Sequence, residues 1–174
     1  MLRNGHIGLG LLLASIASSI MGLGLVTTLW MAGATVLFSV LPDLDKRVGK
    51  HRKFTHSPIF AIAVSIAFGV AIHCAARAAD MFAAQMIPRA LARVLEGSGA
   101  FMMGFIPAAA GTLSHVFADM FTYQGVPLFL PFTGDRYSFF AFRSNNWAVN
   151  MAFSVLGTIA FVAVVLQIPP AMVM

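Results

Sequence analysis

Charge-free apolar runs organise this chain. From Ile7 to Leu41, 35 consecutive positions carry no charge. One straight helix of that length would run about 52 Å, well beyond the roughly 30 Å hydrocarbon core of a bilayer. A break is needed, and Gly22 and Gly24 in Ser-Ile-Met-Gly-Leu-Gly offer it. The pattern predicts a first helix from about His6 to Met21 and a second from about Leu25 to Leu41, ended by Pro42. A third runs from Ser57 to about His73, with Ser57 as N-cap and Pro58 at the first helical position, where a missing N–H costs nothing. A fourth begins near Gly99 and carries His115 and Asp119 towards its far end. An aromatic connection with Pro and Gly, Tyr123 to Asn146, is expected along the membrane interface before Trp147 opens a fifth helix ending near Ile168. Between the third and fourth, residues 76–97 mix small apolar side chains with Arg77, Asp80, Arg89, Arg93 and Glu96 around Pro88, which predicts an interfacial helix pair. The expectation is an all-α, polytopic membrane protein of about five transmembrane helices with interfacial segments, residues 1–174 forming one membrane-embedded domain.

Composition sharpens this reading. The chain is 59% hydrophobic and 10% charged, against about 45–50% and about 25% in soluble domains, so an ordinary soluble enzyme is excluded. A lone cysteine, Cys74, excludes an internal disulfide. The opening Met1–Ser19, with Arg3, an apolar run and small residues near Ala17, has the outline of a signal peptide. Cleavage there would remove His6, and the segment is taken instead as a retained first span. The net charge of +5 does not point to nucleic acid, because five of the eleven basic residues (Lys46, Arg47, Lys50, Arg52 and Lys53) share one loop rather than an extended, aromatic-interleaved face. Such a loop between apolar spans marks the cytoplasmic side. With a hairpin of helices one and two, His6, the Asp43–His56 connection and the His115/Asp119 end of helix four then meet at that side. His73, about 24 Å along the third helix, belongs to the other interface.

Intramembrane ionisable groups are rare because each costs about 2.5–3.5 kcal/mol on insertion scales, so the three clusters can be read singly. In Gly111-Thr-Leu-Ser-His-Val-Phe-Ala-Asp119-Met-Phe-Thr122, the i, i+4 spacing sets His115 and Asp119 on one helical face. There they can bind a divalent ion together, the carboxylate can orient a metal-bound imidazole, or the two can simply pair between helices. Leu41-Pro-Asp43-Leu-Asp45 adds two acids just after a span, and Gly49-Lys-His51-Arg52-Lys-Phe-Thr-His56-Ser57 adds two imidazoles and a guanidinium in a loop entering a helix. His6, His51, His56 and His115 with Asp43, Asp45 and Asp119 form a mixed N/O set suited to zinc or manganese, with more candidates than one tetrahedral site needs.

In ordered combination, His6 before a Gly-rich apolar run, LPDLD at 41–45, HRKFTHS at 51–57 and GTLSHVFADMFTYQGVPLFLPF at 111–132 resemble the YdjM-like family of membrane-bound metal-dependent hydrolases. The resemblance covers most of the chain outside residues 76–97 and the last span, and implies a hydrolase. On that reading His6, Asp43, Asp45, His56, His115 and Asp119 are candidate metal ligands, with His51 a proton-transfer group or further ligand. Arg52 would hold an anionic oxygen of a scissile phosphoryl or acyl group, and Arg136 is a second anion contact. The cofactor expected is a divalent metal ion, zinc before manganese, in a number the sequence does not fix. The expected substrate is a membrane lipid or lipid-linked phosphoester, reached from the cytoplasmic face of a bacterial inner membrane, with no nucleic-acid partner and an open oligomeric state. The helical H-x-x-x-D also resembles, over a short stretch, part of the zinc-dependent phospholipase C pattern. Two alternatives stand beside this. One is a metal-independent lipid-phosphate phosphatase with a nucleophilic histidine, whose Pro-Ser-Gly-His motif is missing here. The other is a non-enzymatic divalent-metal carrier or sensor, which would extend polar ligands through the membrane.

Overall fold

The computed structural model describes residues 1–48, 54–83 and 98–167, with every side chain among them except those of 45–48, 80–83 and 98. The described residues form five α-helices: α1 (Arg3–Met21), α2 (Leu25–Val40), α3 (Pro58–Ala83), α4 (Ser98–Met120) and α5 (Trp147–Gln167). Two 3-10 segments, Leu41–Val48 and Phe54–His56, lie between α2 and α3. Each α-helix contributes a stretch long and apolar enough to cross a membrane.

The expected glycine break separates α1 from α2. Gly22 stands at φ 59°, its N–H donates to the Ser19 carbonyl, and the Leu23 N–H reaches back to the Ser18 carbonyl at 3.0 Å. This paired closure satisfies two end carbonyls, and its left-handed residue is cheap only for glycine. At α3 the Ser57 Oγ accepts the Phe60 N–H at 3.2 Å and donates to the Phe54 carbonyl at 2.7 Å. The Ser-Pro start therefore caps α3 as the sequence predicts.

The far end of α3 differs from the sequence expectation. Residues 76–83 continue the helix instead of opening an interfacial pair. Ala75, Ala76, Ala78 and Ala79 are the strongest helix formers available, Ala76 is buried, and Arg77 is exposed with an aliphatic stem that can carry its charge outward. Residues 84–97, with Pro88 and the remaining charges, lie outside the described residues.

Helix α4 is the centre of the bundle, touching α1, α2 and α3, while α5 packs chiefly on α1. Half of the α4 span is buried inside the protein, against 11% of the α5 span. Inside lipid no hydrophobic drive joins helices, so association rests on close van der Waals approach between small residues. Gly8 of α1 and Gly157 of α5 meet in this way: a Cβ on Gly157 would collide with the Gly8 carbonyl, and one on Gly8 with the Phe153 carbonyl. Gly111 of α4 sits equally close to α2, where a Cβ would lie 2.7 Å from Phe38 Cβ.

Pro107 inside α4 has no N–H to give the carbonyl four residues earlier, that of Met103. Trp30 of α2 fills the gap, its indole Nε1–H donating to that carbonyl at 2.8 Å. In hydrocarbon no water can substitute. Trp30→Phe, which keeps an aromatic ring beside Phe68, is expected to cost about 1–2 kcal/mol and to lower the midpoint of thermal unfolding in detergent. An unchanged midpoint would show that the Met103 carbonyl finds another partner.

The connection from Tyr123 to Asn146 folds back on itself through bridges joining Thr122 to Phe142 and Val126 to Tyr137. It leaves Phe129, Phe132, Phe139 and Phe140 exposed, next to the exposed Trp147. Such aromatic girdles sit at the membrane–water boundary.

Candidate metal centre

Four segments distant in sequence bring their polar residues to one end of the bundle. His6 lies in the first turn of α1, Asp43 in the 3-10 segment after α2, and His56 in the 3-10 turn before α3, while His115 and Asp119 lie one turn apart near the end of α4. His6, His56, His115 and Asp119 are buried, and the Asp43 side chain is 12% exposed.

The arrangement centres on His115 Nε2. His115 Nδ1 is 2.6 Å from the Ser39 carbonyl oxygen of α2. A carbonyl only accepts, so Nδ1 carries the proton and Nε2 presents its lone pair inward. Around that atom stand His56 Nε2 at 3.1 Å, Asp43 Oδ1 at 3.6 Å and Asp119 Oδ2 at 3.8 Å. His56 Nε2 is in turn 3.7 Å from Asp43 Oδ1 and 3.7 Å from Asp119 Oδ2. Four ligands 2.0–2.2 Å from a tetrahedral ion would be separated by about 3.3–3.6 Å. These five separations, 3.1–3.8 Å, lie close to that edge length.

His6 flanks this group. Its ring stacks on His115 with centroids 3.7 Å apart and planes 13° from parallel, and its Nε2 lies 3.5 Å from Asp119 Oδ1. Among the described residues neither ring nitrogen of His6 finds a hydrogen-bond partner, which is costly for a buried imidazole and is relieved by a charged partner. Asp119 also meets the Met1 amino group. Two overlapping trios, His6–Asp43–His115 and His56–His115–Asp119, are each compact enough to hold a metal ion. They share His115, whose Nδ1 is engaged with Ser39, so its single inward nitrogen serves one ion at a time.

Local structure explains the placement. Thr122 donates both its N–H, at 3.1 Å, and its Oγ–H, at 2.8 Å, to the Asp119 carbonyl, closing α4 just past the carboxylate. Thr55 Oγ1 lies 3.1 Å from His56 Nδ1 and steadies that ring. The start of α1 is tied to α5: the Leu2 N–H donates to Asn150 Oδ1 at 2.9 Å, and Ser154 Oγ–H donates to the Asn4 carbonyl at 3.0 Å. Asn150 Nδ2 donates in turn to the Asn146 carbonyl at 2.7 Å, so a fully buried amide fixes the entry of α1 beside Asp119.

Of the residues singled out in the sequence, the structure brings together His6, Asp43, His56, His115 and Asp119. The Asp45 side chain, His51 and Arg52 lie outside the described residues, and Arg136 is exposed on the 123–146 connection. Sequence reasoning missed Thr55, Asn150 and the Ser39 carbonyl. A lone buried-span amide such as Asn150 carries a usable signal, since polar residues in membrane helices are seldom idle. A backbone carbonyl such as that of Ser39 carries none.

Fold and site together define an integral membrane protein whose described residues form a bundle of five helices with a buried imidazole–carboxylate cluster at one end. The family model described as YdjM inner membrane protein matches residues 1–173, and the chain belongs to that family. No match to the chain is found among the curated proteins or among the solved structures.

Proposed function

We propose that this inner-membrane protein is a metal-dependent hydrolase that binds one divalent ion, zinc before manganese, through His56, His115, Asp43 and Asp119. It would act on a phosphoester or lipid-linked substrate at the cytoplasmic interface. The observation that carries the reading is the gathering of His56 Nε2, Asp43 Oδ1 and Asp119 Oδ2 within 3.8 Å of His115 Nε2. A divalent ion held there would add its charge to that of the Met1 ammonium in compensating the two carboxylates. Bound there, a divalent ion supplies Lewis-acid polarisation of a phosphoryl or acyl oxygen and activation of water.

The chain's own residues do the rest. The Ser39 carbonyl sets the tautomer of His115, Thr55 orients His56, and His6 stands against Asp119 Oδ1, leaving Oδ2 turned to the two imidazoles. From the sequence, His51 is assigned the proton transfer and Arg52 the anionic oxygen of the substrate, with Arg136 as the second anion contact. Asp45 is a further ligand candidate in the same loop. The cytoplasmic assignment rests on the basic loop between α2 and α3.

The histidine-nucleophile alternative fits the geometry less well. An attacking His115 Nε2 would have two carboxylate oxygens within 3.8 Å, which repel an anionic phosphate unless a cation intervenes. The carrier alternative would use ligands deeper in the bundle. There the buried hydroxyls of Ser15, Thr28, Ser65 and Thr112 donate to carbonyls of their own or the adjoining segment.

The test is hydrolysis of bis-(4-nitrophenyl) phosphate and of phospholipids by purified protein before and after chelation. Turnover lost on chelation and restored by zinc or manganese is the expected result. Chelator-resistant turnover would favour the nucleophilic histidine, and metal binding without turnover on either substrate class would favour the carrier or sensor.

A further inference from the structure

Beside the candidate metal centre, residues of α1, α4, α5 and the aromatic connection line a cavity of about 210 Å³. Its walls are Leu9 of α1, Phe117 of α4, Phe121 just past the end of α4, Phe153 of α5 and Phe142 of the aromatic connection, with no polar side chain among the described lining residues. Met1 and Ala118 complete the lining. Met1 contacts the Asp119 carboxylate through its amino group, and Ala118 immediately precedes Asp119, so the cavity adjoins the cluster. From Arg3 to Leu9 α1 rises about 9 Å at 1.5 Å per residue, within the roughly 15 Å depth of one leaflet of a bilayer core.

We infer that this cavity seats one acyl chain of a phospholipid whose head group lies at the His/Asp cluster. The inference rests on the hydrolase reading above and names its substrate class. Three features favour a lipid chain over a helix or a second copy of the protein. The cavity is a slot between helices rather than a helix-sized face. Its lining offers dispersion contacts and no hydrogen bonds, which suits hydrocarbon and excludes water. Its Met1 and Ala118 lining also adjoins Asp119 of the cluster, beside which the head of an amphiphile would lie. Aromatic stacking holds the slot open: Phe117 and Phe121 meet edge to face at 5.0 Å, and Phe121 leans on Phe139 at 5.0 Å. Gly8 and Gly157 lock α1 to α5 at its flank, so the two outer walls are set by a backbone contact.

The test uses the full chain purified in maltoside detergent, with phospholipid retention read by native mass spectrometry. The binding position is read by photocrosslinking to a phosphatidylethanolamine that carries a mid-chain diazirine. Leu9→Trp fills the slot from α1, and Phe117→Trp narrows it from a wall residue that is 55% exposed, so a folding failure in one variant leaves the other. Wild type is expected to keep one phospholipid per chain and to crosslink at Leu9, Phe121 or Phe153. Each variant is expected to lower retention at least tenfold with metal content unchanged. Equal retention in the variants, crosslinks confined to the outer face of α3, or no retained lipid in wild type would overturn the inference. Lipid retained in wild type and lost in the variants, with no metal in any sample, would sink the metal mechanism and leave the acyl seat standing.

Discussion

Zinc supplied at a free concentration 100 times its dissociation constant should stabilise the metal-stripped wild-type protein by about 2.7 kcal/mol, raising its thermal midpoint by several degrees. His115→Ala should abolish that shift. Both compact trios of candidate ligands run through His115, and its Nε2 is the atom around which His56, Asp43 and Asp119 gather. Removing it takes a ligand from either arrangement and leaves the Ser39 carbonyl without its donor. The apo variant is therefore also expected to be less stable than apo wild type, by about 1–3 kcal/mol. Intrinsic tryptophan fluorescence on heating reads both quantities on one sample. Equal zinc-induced shifts in wild type and His115→Ala would place the ion elsewhere.

The second large effect lies outside the centre. Gly157→Leu pushes a side chain into the Gly8 carbonyl of α1, a backbone atom that cannot rotate away. Overpacking of this kind costs about 1–3 kcal/mol, and the upper end is expected here. Because Asn150 and Ser154 of the same helix hold Leu2 and Asn4, a displaced α5 should also loosen His6 and weaken metal binding. Gly33→Leu is the matched control, since a Cβ there meets nothing within 4 Å. Thermal midpoints and metal affinities of the two variants should differ sharply. A Gly157→Leu protein as stable as Gly33→Leu would mean that α5 is held by something other than this contact.

The fold was legible where local chemistry acts alone. Glycine at 22 breaks a charge-free run too long for one span, and Ser57-Pro58 starts α3, because turn and cap geometry are decided within a few residues. The end of α3 lies beyond the sequence expectation because the charges from Arg77 onward look like a boundary, whereas the alanines around them keep the helix going. At the site, the two residue types that bind metals stood out against an apolar background, and a hairpin of α1 and α2 brings them together. What orients them was not readable. The Ser39 carbonyl and the Asn150 amide act through helix packing and register across distant segments, which residue identity and spacing do not specify. The same holds for Trp30 and Met103: Pro107 announces an unpaired carbonyl, but only the packing of α2 on α4 names its partner.

The most direct test of the central claim is the divalent metal content of detergent-purified wild type beside His115→Ala, measured by elemental analysis after adventitious ions are removed. The account predicts about one tightly held zinc or manganese ion per wild-type chain, in keeping with one tetrahedral set of donors, and essentially none in the variant. A wild-type protein free of metal, or a variant that keeps its full complement, would contradict it.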